Sequence, residues 1–190
     1  MGQEGRAIHA SELAVRVADE RFESYILSSD FSFTVRAYAT PVPGEPVTAW
    51  PTRAVAPYRK CYGIDPEEFA RYRDKADSAV FVAWHGTRAV GHVVVSTNWN
   101  GYAYVDELAV DTSARRLGTA QQLLKVVGFW ARQKALPGVM LETQNNNLAA
   151  CQLYERCGYA VGGVDELRYR GIDPATEEVA IFWYQLFAAQ

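Results

Sequence analysis

The chain is short of cysteine, of basic charge and of long apolar runs, and each lack excludes something. Its 190 residues hold three cysteines, Cys61, Cys151 and Cys157, an odd number without framework spacing. That excludes a disulfide scaffold and points to a reducing compartment. A net charge of −3 argues against a nucleic-acid binder, whose surface is usually basic. No apolar run approaches the ~20 residues a bilayer span requires, and the N-terminus lacks the basic-then-apolar pattern of a signal peptide. His9, His85 and His92 have no ligand spacing, and Cys151 and Cys157 do not share a helix face, so no metal site is expected. Neither a Ser/His/Asp arrangement nor an internal repeat is present. These exclusions leave a soluble, cytoplasmic protein without nucleic-acid or membrane partners, and with room for a homodimer.

What is there is an ordinary globular composition, 49% hydrophobic, enough for a sizeable core in one domain spanning 1–190. Ser11 to Tyr25 reads as a helix capped by Ser11, with Leu13, Val17 and Phe22 on its apolar side. Phe31 to Tyr38 alternates as a strand does. Five prolines between Thr40 and Pro57 predict a loop or edge-type extended segment rather than regular structure. Asp65-Pro66-Glu67-Glu68 opens a helix running to about Arg73. Ser78–Trp84 and Ala89–Ser96 read as strands around a His85–Arg88 turn, and Asn100-Gly101 signals another hairpin. A strand over 102–110, a helix from about Leu117 to Lys134, and a strand over Val139–Thr143 form a βαβ crossover with parallel strands. A second helix, Leu148–Cys157, is capped by Asn147 and stopped by Gly158. Tyr159–Val164 and Val179–Phe187 close the chain as strands. The fold class is therefore mixed α/β (α+β): a twisted central sheet of antiparallel and parallel strands, flanked by helices.

The organising stretch is Tyr104 to Ala120. A strand ending Leu108-Ala109-Val110 turns through Asp111–Ala114 into Arg115-Arg116-Leu117-Gly118-Thr119-Ala120. A basic, small-residue loop entering a helix offers free backbone N–H groups and the positive end of the helix dipole to a phosphate. Gly118 and Ala120 permit close approach, while Arg115 and Arg116 add charge-assisted hydrogen bonds. Taken alone, those arginines read rather as solvated helix-start charges.

With these residues in view, the chain resembles the GNAT family of acetyl-CoA-dependent N-acetyltransferases. Arg115 to Ala120 is similar to that family's Arg/Gln-x-x-Gly-x-Gly/Ala pyrophosphate motif. The run Asn147-Leu148-Ala149-Ala150-Cys151-Gln152-Leu153-Tyr154-Glu155-Arg156-Cys157-Gly158-Tyr159 is similar to its Asn-x-x-Ala-x-x-x-Tyr-x-x-x-Gly-Phe/Tyr signature. Between them stand Leu141-Glu142 and Asn145-Asn146-Asn147. Within the family, the streptothricin (nourseothricin) acetyltransferases are most similar, through Ala56–Lys60, Ser96–Asn100, Leu141–Asn147, Gly162–Asp165 and Val179–Tyr184. Many of those enzymes have Gly where this chain has Arg116.

The resemblance implies a single acetyltransferase domain with a substrate-side part at 1–77, a coenzyme-binding core at 78–164 and closing strands at 165–190. It implies acetyl-CoA as cosubstrate, held by the backbone of Leu108, Ala109 and Val110, by the loop Arg115, Arg116, Leu117, Gly118, Thr119 and Ala120, and by Asn147. It implies that Tyr154 protonates the departing thiolate, although the position also suits an aromatic on a core-facing helix side. Transfer needs a deprotonated amine, an oxyanion stabilised by dipoles and a protonated leaving group. Asp106, Glu107 and Glu142 are the candidate bases, with a water chain as an alternative. Alternation along the strand places Tyr104, Asp106, Leu108 and Val110 on one face, so Asp106 and Glu107 would point oppositely; Asp106 is the leading candidate. Acids not serving as base would anchor a cationic substrate, together with Trp99 and Tyr104. The expected acceptor is a small-molecule primary amine, that of streptothricin in particular. Other readings are an acetyltransferase for a protein N-terminus, lysine or polyamine, and an acyl-CoA-binding sensor without turnover.

Overall fold

The structure, a computed structural model, describes residues 13–64, 66–73 and 75–188, with residues 66–68 by backbone alone. The expected caps Ser11 and Asp65, together with Met1–Gln3 and His9, lie outside the described residues. In chain order the elements are β1 (Leu13–Val17), α1 (Phe22–Ser28), β2 (Phe33–Ala39), β3 (Thr52–Lys60), α2 (Pro66–Arg73), β4 (Ser78–His85), β5 (Arg88–Thr97), β6 (Ala103–Val110), α3 (Thr119–Gln133), β7 (Gly138–Gln144), α4 (Leu148–Arg156), β8 (Ala160–Asp165) and β9 (Ala180–Leu186). Seven strands form one sheet in the order β1-β4-β5-β6-β7-β9-β8, and β2 with β3 forms a separate hairpin. All neighbours in the large sheet run antiparallel except β6 and β7, joined in parallel by the α3 crossover. The mixed sheet flanked by helices is the class the sequence predicts.

Helices cover both faces of the sheet. On one, Leu123, Leu124, Val127 and Ala131 of α3 and Cys151 and Tyr154 of α4 pack on Val93, Val95, Val105, Val139 and Leu141. On the other, Phe22, Tyr25 and Ile26 of α1 and Phe69 of α2 pack on Val80, Val82, Trp84 and Val94. Burying each such Val or Leu side chain contributes about 1.5–3 kcal/mol. β4 and β5 are buried almost throughout. Double coverage of the sheet makes continuous apolar runs, not alternation, the correct pattern there.

Two expectations are corrected. The helix over Ser11–Tyr25 is instead a strand followed by a helix that starts at Phe22. Leu13 and Val15 both pack on the core while pairing with β4, Val15 opposite Ala83, and that is a period of two. Leu13, Val17 and Phe22 mimic helical spacing, but Val17 is exposed. The proline segment is also more regular than expected, with a 3₁₀ turn at Val47–Ala49 and then β3. Pairing in the hairpin jumps from Val35–Tyr58 to Ala37–Ala54, so Pro57 falls in an irregularity where no ladder N–H is required. Trp50 anchors this segment: it is buried, donates from Nε1 to the Glu45 carbonyl at 3.1 Å, and stacks on Trp183 with centroids 5.9 Å apart. Among the described residues no helix is long and apolar enough to cross a membrane.

Candidate active site

A parallel strand pair that parts company creates the site. β6 and β7 pair only over Ala103–Val139, Tyr104–Met140 and Val105–Leu141. Beyond that, β6 continues to Val110 and β7 to Gln144 without pairing to each other. The backbone edge of β6 that faced β7 is thereby turned into a cleft of about 810 Å³. Its lining includes Leu108, Ala109, Val110, Arg115, Arg116, Gly118, Thr119, Ala120, Asn147 and Tyr154, and also Tyr104, Asp106, Glu107 and Glu142. Leu117 is not part of that lining. Nor is Trp99, which stands 94% exposed in the turn closed by Asn98 N–H to the Tyr102 carbonyl at 2.8 Å.

The separation begins at a β-bulge. Opposite β5, Val94 pairs with Glu107 while Val95 pairs with Val105, so Asp106 is an extra residue in β6. Strict alternation fails there, and the expectation that Asp106 and Glu107 face opposite sides is corrected. Asp106 accepts from Ser96 Oγ at 2.7 Å, and Glu107 meets His92 Nε2 at 3.2 Å. His92 and Ser96 share a face of the unbulged β5, so both acids point to the α1–α2 side. Nor do Tyr104, Asp106, Leu108 and Val110 form one face: Leu108 and Val110 pack against the opposite, α3 side. Bulges re-aim side chains in this way beside functional sites.

The acid cluster is tightly held. Asp106 also accepts from Tyr72 Oη at 3.4 Å. Burial pushes its carboxyl above the ordinary range, and these hydroxyl donors oppose the shift. Protein atoms crowd the carboxyl although the residue is open to solvent from the cleft. Glu142 Oε1 accepts from Arg168 Nε at 2.8 Å and from Tyr169 Oη at 2.5 Å, and Tyr104 Oη lies 3.5 Å from its Oε2. Burial and then the charge of Glu142 push the Tyr104 phenol up to about 12. No sequence pattern singled out Arg168 or Tyr169. They sit in the connection between the last two strands, and only the fold returns that connection over β7.

The basic end of the cleft is built from the β6–α3 turn. Buried Asp111 accepts from Ser113 N–H at 2.9 Å and from Asp30 N–H at 3.0 Å, tying the turn to the segment after α1. Gly118 adopts φ +82 at the start of α3, and no side chain caps that helix. The first-turn N–H groups therefore face the cleft undiverted, as an anion site requires. Arg115 is only half available: its Nε donates to the Val110 carbonyl at 3.1 Å and its Nη2 to the Phe31 carbonyl at 2.9 Å. It clamps the end of β6 to the β2 approach rather than extending into solvent. Arg116 is exposed at φ +64, in the left-handed region that favours glycine. Arg116→Gly is accordingly expected to stabilise the fold by about 1 kcal/mol and to raise KM for the coenzyme several-fold by removing a cleft cation. Thermal denaturation and initial rates check the two halves; an unchanged KM would take Arg116 out of coenzyme binding.

α4 forms the opposite wall. Asn147 caps it, its Oδ1 accepting from Ala150 N–H at 3.2 Å, and Gly158 ends it at φ +82. Tyr154 is buried beside Trp183 and Tyr159, with ring centroids 6.0 and 6.1 Å away. Burial, and then Cys151, Tyr159 and Cys157, push its phenol well above the ordinary value, so it stays protonated and able to donate. Phe31, Phe33, Tyr62 and Ile64 complete the lining on the α1–α2 side. The alternation over Phe31 to Tyr38 marks only a strand, and the link of Phe31 and Phe33 to this cleft is tertiary. Among the described residues no group of three or more His, Cys, Asp or Glu is placed to hold a metal, and all three cysteines are free.

Known proteins are similar to this chain in sequence and in fold. The sequence model of the acetyltransferase (GNAT) family matches residues 47–159. A streptothricin acetyltransferase from Escherichia coli is 35% identical over 139 residues, 73% of this chain and 76% of that protein. Streptothricin acetyltransferase A of Bacillus subtilis (strain 168) is 34% identical over 131 residues, 69% of this chain and 75% of that protein. A crystal structure from Bacillus anthracis str. Ames, assigned as a streptothricin acetyltransferase and solved with acetyl coenzyme A, superposes with a TM-score of 0.82 at 34% identity, covering 92% of this chain and 99% of that one. The family match takes in the bulged strand, the uncapped helix start and the Tyr154 wall together, and the chain belongs to the GNAT acetyltransferase family.

Proposed function

We propose that this protein transfers the acetyl group of acetyl-CoA to a primary amine of a cationic small molecule, namely the β-lysyl amine of streptothricin. The observation that carries the reading is the distribution of charge along one cleft. Asp106, Glu107 and Glu142 gather where β6 and β7 part, and Arg115, Arg116 and Arg156 lie beyond the end of β6 around the α3 and α4 walls. An anionic coenzyme and a cationic acceptor are each drawn to one end. The relatives named for streptothricin support the choice of acceptor.

The residues fit the coenzyme. The unpaired edge of β6 from Asp106 to Val110 suits an extended amide-bearing arm, which it would hold as an added strand does. The uncapped start of α3 and Arg116 suit a pyrophosphate. Acetyl-CoA brings an activated acyl carbon and a thiolate leaving group. The chain supplies the edge N–H groups toward the developing oxyanion, carboxylates toward the ammonium and the Tyr154 phenol toward the sulfur. The domain would work as one unit over 1–190. Its part before residue 78 contributes Phe31, Phe33, Tyr62 and Ile64 to the acceptor side, residues 78–164 hold the coenzyme, and 165–190 return Arg168 and Tyr169 over Glu142. Three free cysteines support a cytoplasmic setting.

The test is acceptor-dependent thiol release from acetyl-CoA with streptothricin, spermidine and a lysine-bearing peptide in parallel. Streptothricin is expected to give the highest kcat/KM. A preference for the peptide or spermidine would overturn the acceptor, and coenzyme binding without any release would make the protein a sensor. Glu142→Gln is expected to raise KM for streptothricin about tenfold, the ~1.4 kcal/mol scale of a lost charge-assisted hydrogen bond. KM for acetyl-CoA should not move; a matching rise there would mean that Glu142 supports the fold rather than the acceptor.

A further inference from the structure

Behind the cleft lies a buried polar chain that the family motifs do not include. His92, in the middle of β5, has 0% exposure and is surrounded edge-on by Phe22, Tyr25, Phe31 and Phe69, with centroids 5.3–5.8 Å away. Its Nδ1 lies 3.2 Å from Tyr25 Oη and its Nε2 3.2 Å from Glu107 Oε1. An imidazole enclosed by four aromatic rings is costly unless both nitrogens are satisfied, and here both are. Glu107 can only accept, so Nε2 carries the proton and Nδ1 accepts from Tyr25. Burial, and then the charges of Asp111 and Glu107, push the Tyr25 phenol well up, which keeps it a donor.

We propose that Glu107 takes the proton of the acceptor amine, and that His92, locked by Tyr25, is the positioning residue that aims its carboxylate into the cleft. This rests on the acetyltransferase reading above. Three observations favour Glu107 over its neighbours. Both oxygens of Asp106 are engaged, by Ser96 and Tyr72. Glu142 is neutralised by Arg168. Glu107 spends only Oε1, on a buried N–H; Oε2 has no partner among the described residues, and the side chain keeps 29% of its surface open in the cleft. The bulge at Asp106 is what turns Glu107 toward this side. In the reaction the ammonium loses one proton to Glu107. The nitrogen then bonds to the acyl carbon, the carbon–sulfur bond breaks as the oxyanion re-forms a carbonyl, the thiolate takes the proton of Tyr154, and the second proton leaving nitrogen restores that phenol while Glu107 gives its own to solvent. Counted from the ammonium, the products are amide, thiol and one proton released to solvent.

The charged and titratable groups around Glu107 are Asp106 and Tyr104 on its own strand, Glu142 on β7, Tyr72 on α2, and Tyr169 and Arg168 from the β8–β9 connection. Tyr62, Arg115, Arg116, Tyr154 and Arg156 complete the cleft, with His92, Tyr25 and Asp111 behind. A donated hydrogen bond favours the ionised carboxylate. His92→Leu should therefore displace the acid limb of kcat/KM upward and lower kcat roughly tenfold, with KM for acetyl-CoA unmoved. His92→Gln, whose amide can donate to Glu107 and accept from Tyr25, should restore most of both. Glu107→Gln should lower kcat by about 10²-fold and abolish that limb, whereas Asp106→Asn should retain it. Turnover surviving in Glu107→Gln, or a limb lost in Asp106→Asn instead, would overturn the assignment. If His92→Leu does not fold, Tyr25→Phe decides: a lowered kcat supports the positioning role, and a wild-type acid limb with kcat unchanged leaves His92 a core residue. Failure of the wild type to acetylate any amine would instead overturn the function itself.

Discussion

Tyr154→Phe is expected to lower kcat by about 10²-fold or more, within the range of a lost general acid, with coenzyme affinity nearly unchanged. The substitution removes one oxygen from a buried ring. The packing on Trp183 and Tyr159 that fixes the ring remains, so α4 and the cleft wall should persist. Because the phenol stays protonated in its buried setting, its contribution falls where charge develops on sulfur. An interaction made only in the transition state lowers kcat and kcat/KM together and leaves binding alone. Single-turnover thiol release, paired with equilibrium binding of acetyl-CoA, separates the two. Unchanged chemistry in the variant would reduce Tyr154 to an aromatic spacer.

The second large effect is structural. Gly138→Ala should cost about 1–3 kcal/mol, the range for forced overpacking. A chain of this size loses roughly 2–4 °C in Tm per kcal/mol, so the midpoint should fall by about 2–12 °C. A Cβ at Gly138 would stand 2.4 Å from the Gln185 carbonyl oxygen and 3.2 Å from the Leu186 Cα, both backbone atoms. Backbone cannot swing aside as a side chain tip can. β7 and β9 pair along their full length from Gly138–Leu186 to Gln144–Ala180. Prying them apart at one end therefore disturbs the strand that carries Glu142 and the partner that carries Trp183. Gly63, with nothing within 4 Å of an added Cβ, is the control, and Gly63→Ala should leave Tm unmoved. Equal behaviour of the two variants would refute the close-approach argument.

Gly138 also shows how sequence and structure divide the explanation. In the sequence, Leu136-Pro137-Gly138 reads as the stop of a helix, and α3 does end at Gln133. The glycine is demanded by something remote, the backbone of β9 nearly fifty positions later, and nothing local signals that. The basic turn and the helix starts were more legible. The loop from Arg115 to Ala120 and the run from Asn147 to Tyr159 carry their meaning in spacing, because backbone N–H groups at helix starts, a cap at Asn147 and a left-handed stop at Gly158 are local devices. The acceptor side was much less so. Alternation assigned Asp106 and Glu107 to opposite faces, and a single inserted residue in β6 overrode it. Arg115 read as a phosphate ligand, yet its donors go to the Val110 and Phe31 carbonyls. Trp99 read as part of the site and is out in solvent. His92 read only as a histidine without ligand spacing, because its partners Tyr25 and Glu107 lie 67 and 15 positions away.

By itself the sequence determined the mixed α/β class, the βαβ crossover, the glycine turn into α3 and the tyrosine-bearing helix, since each follows from periodicity, capping or glycine within a few residues. Only the tertiary structure decided where β6 and β7 separate, which carboxylates share the resulting cleft and what stands behind them. Those outcomes depend on pairing between distant strands, where one extra residue reverses a side chain's direction and no local propensity records the change.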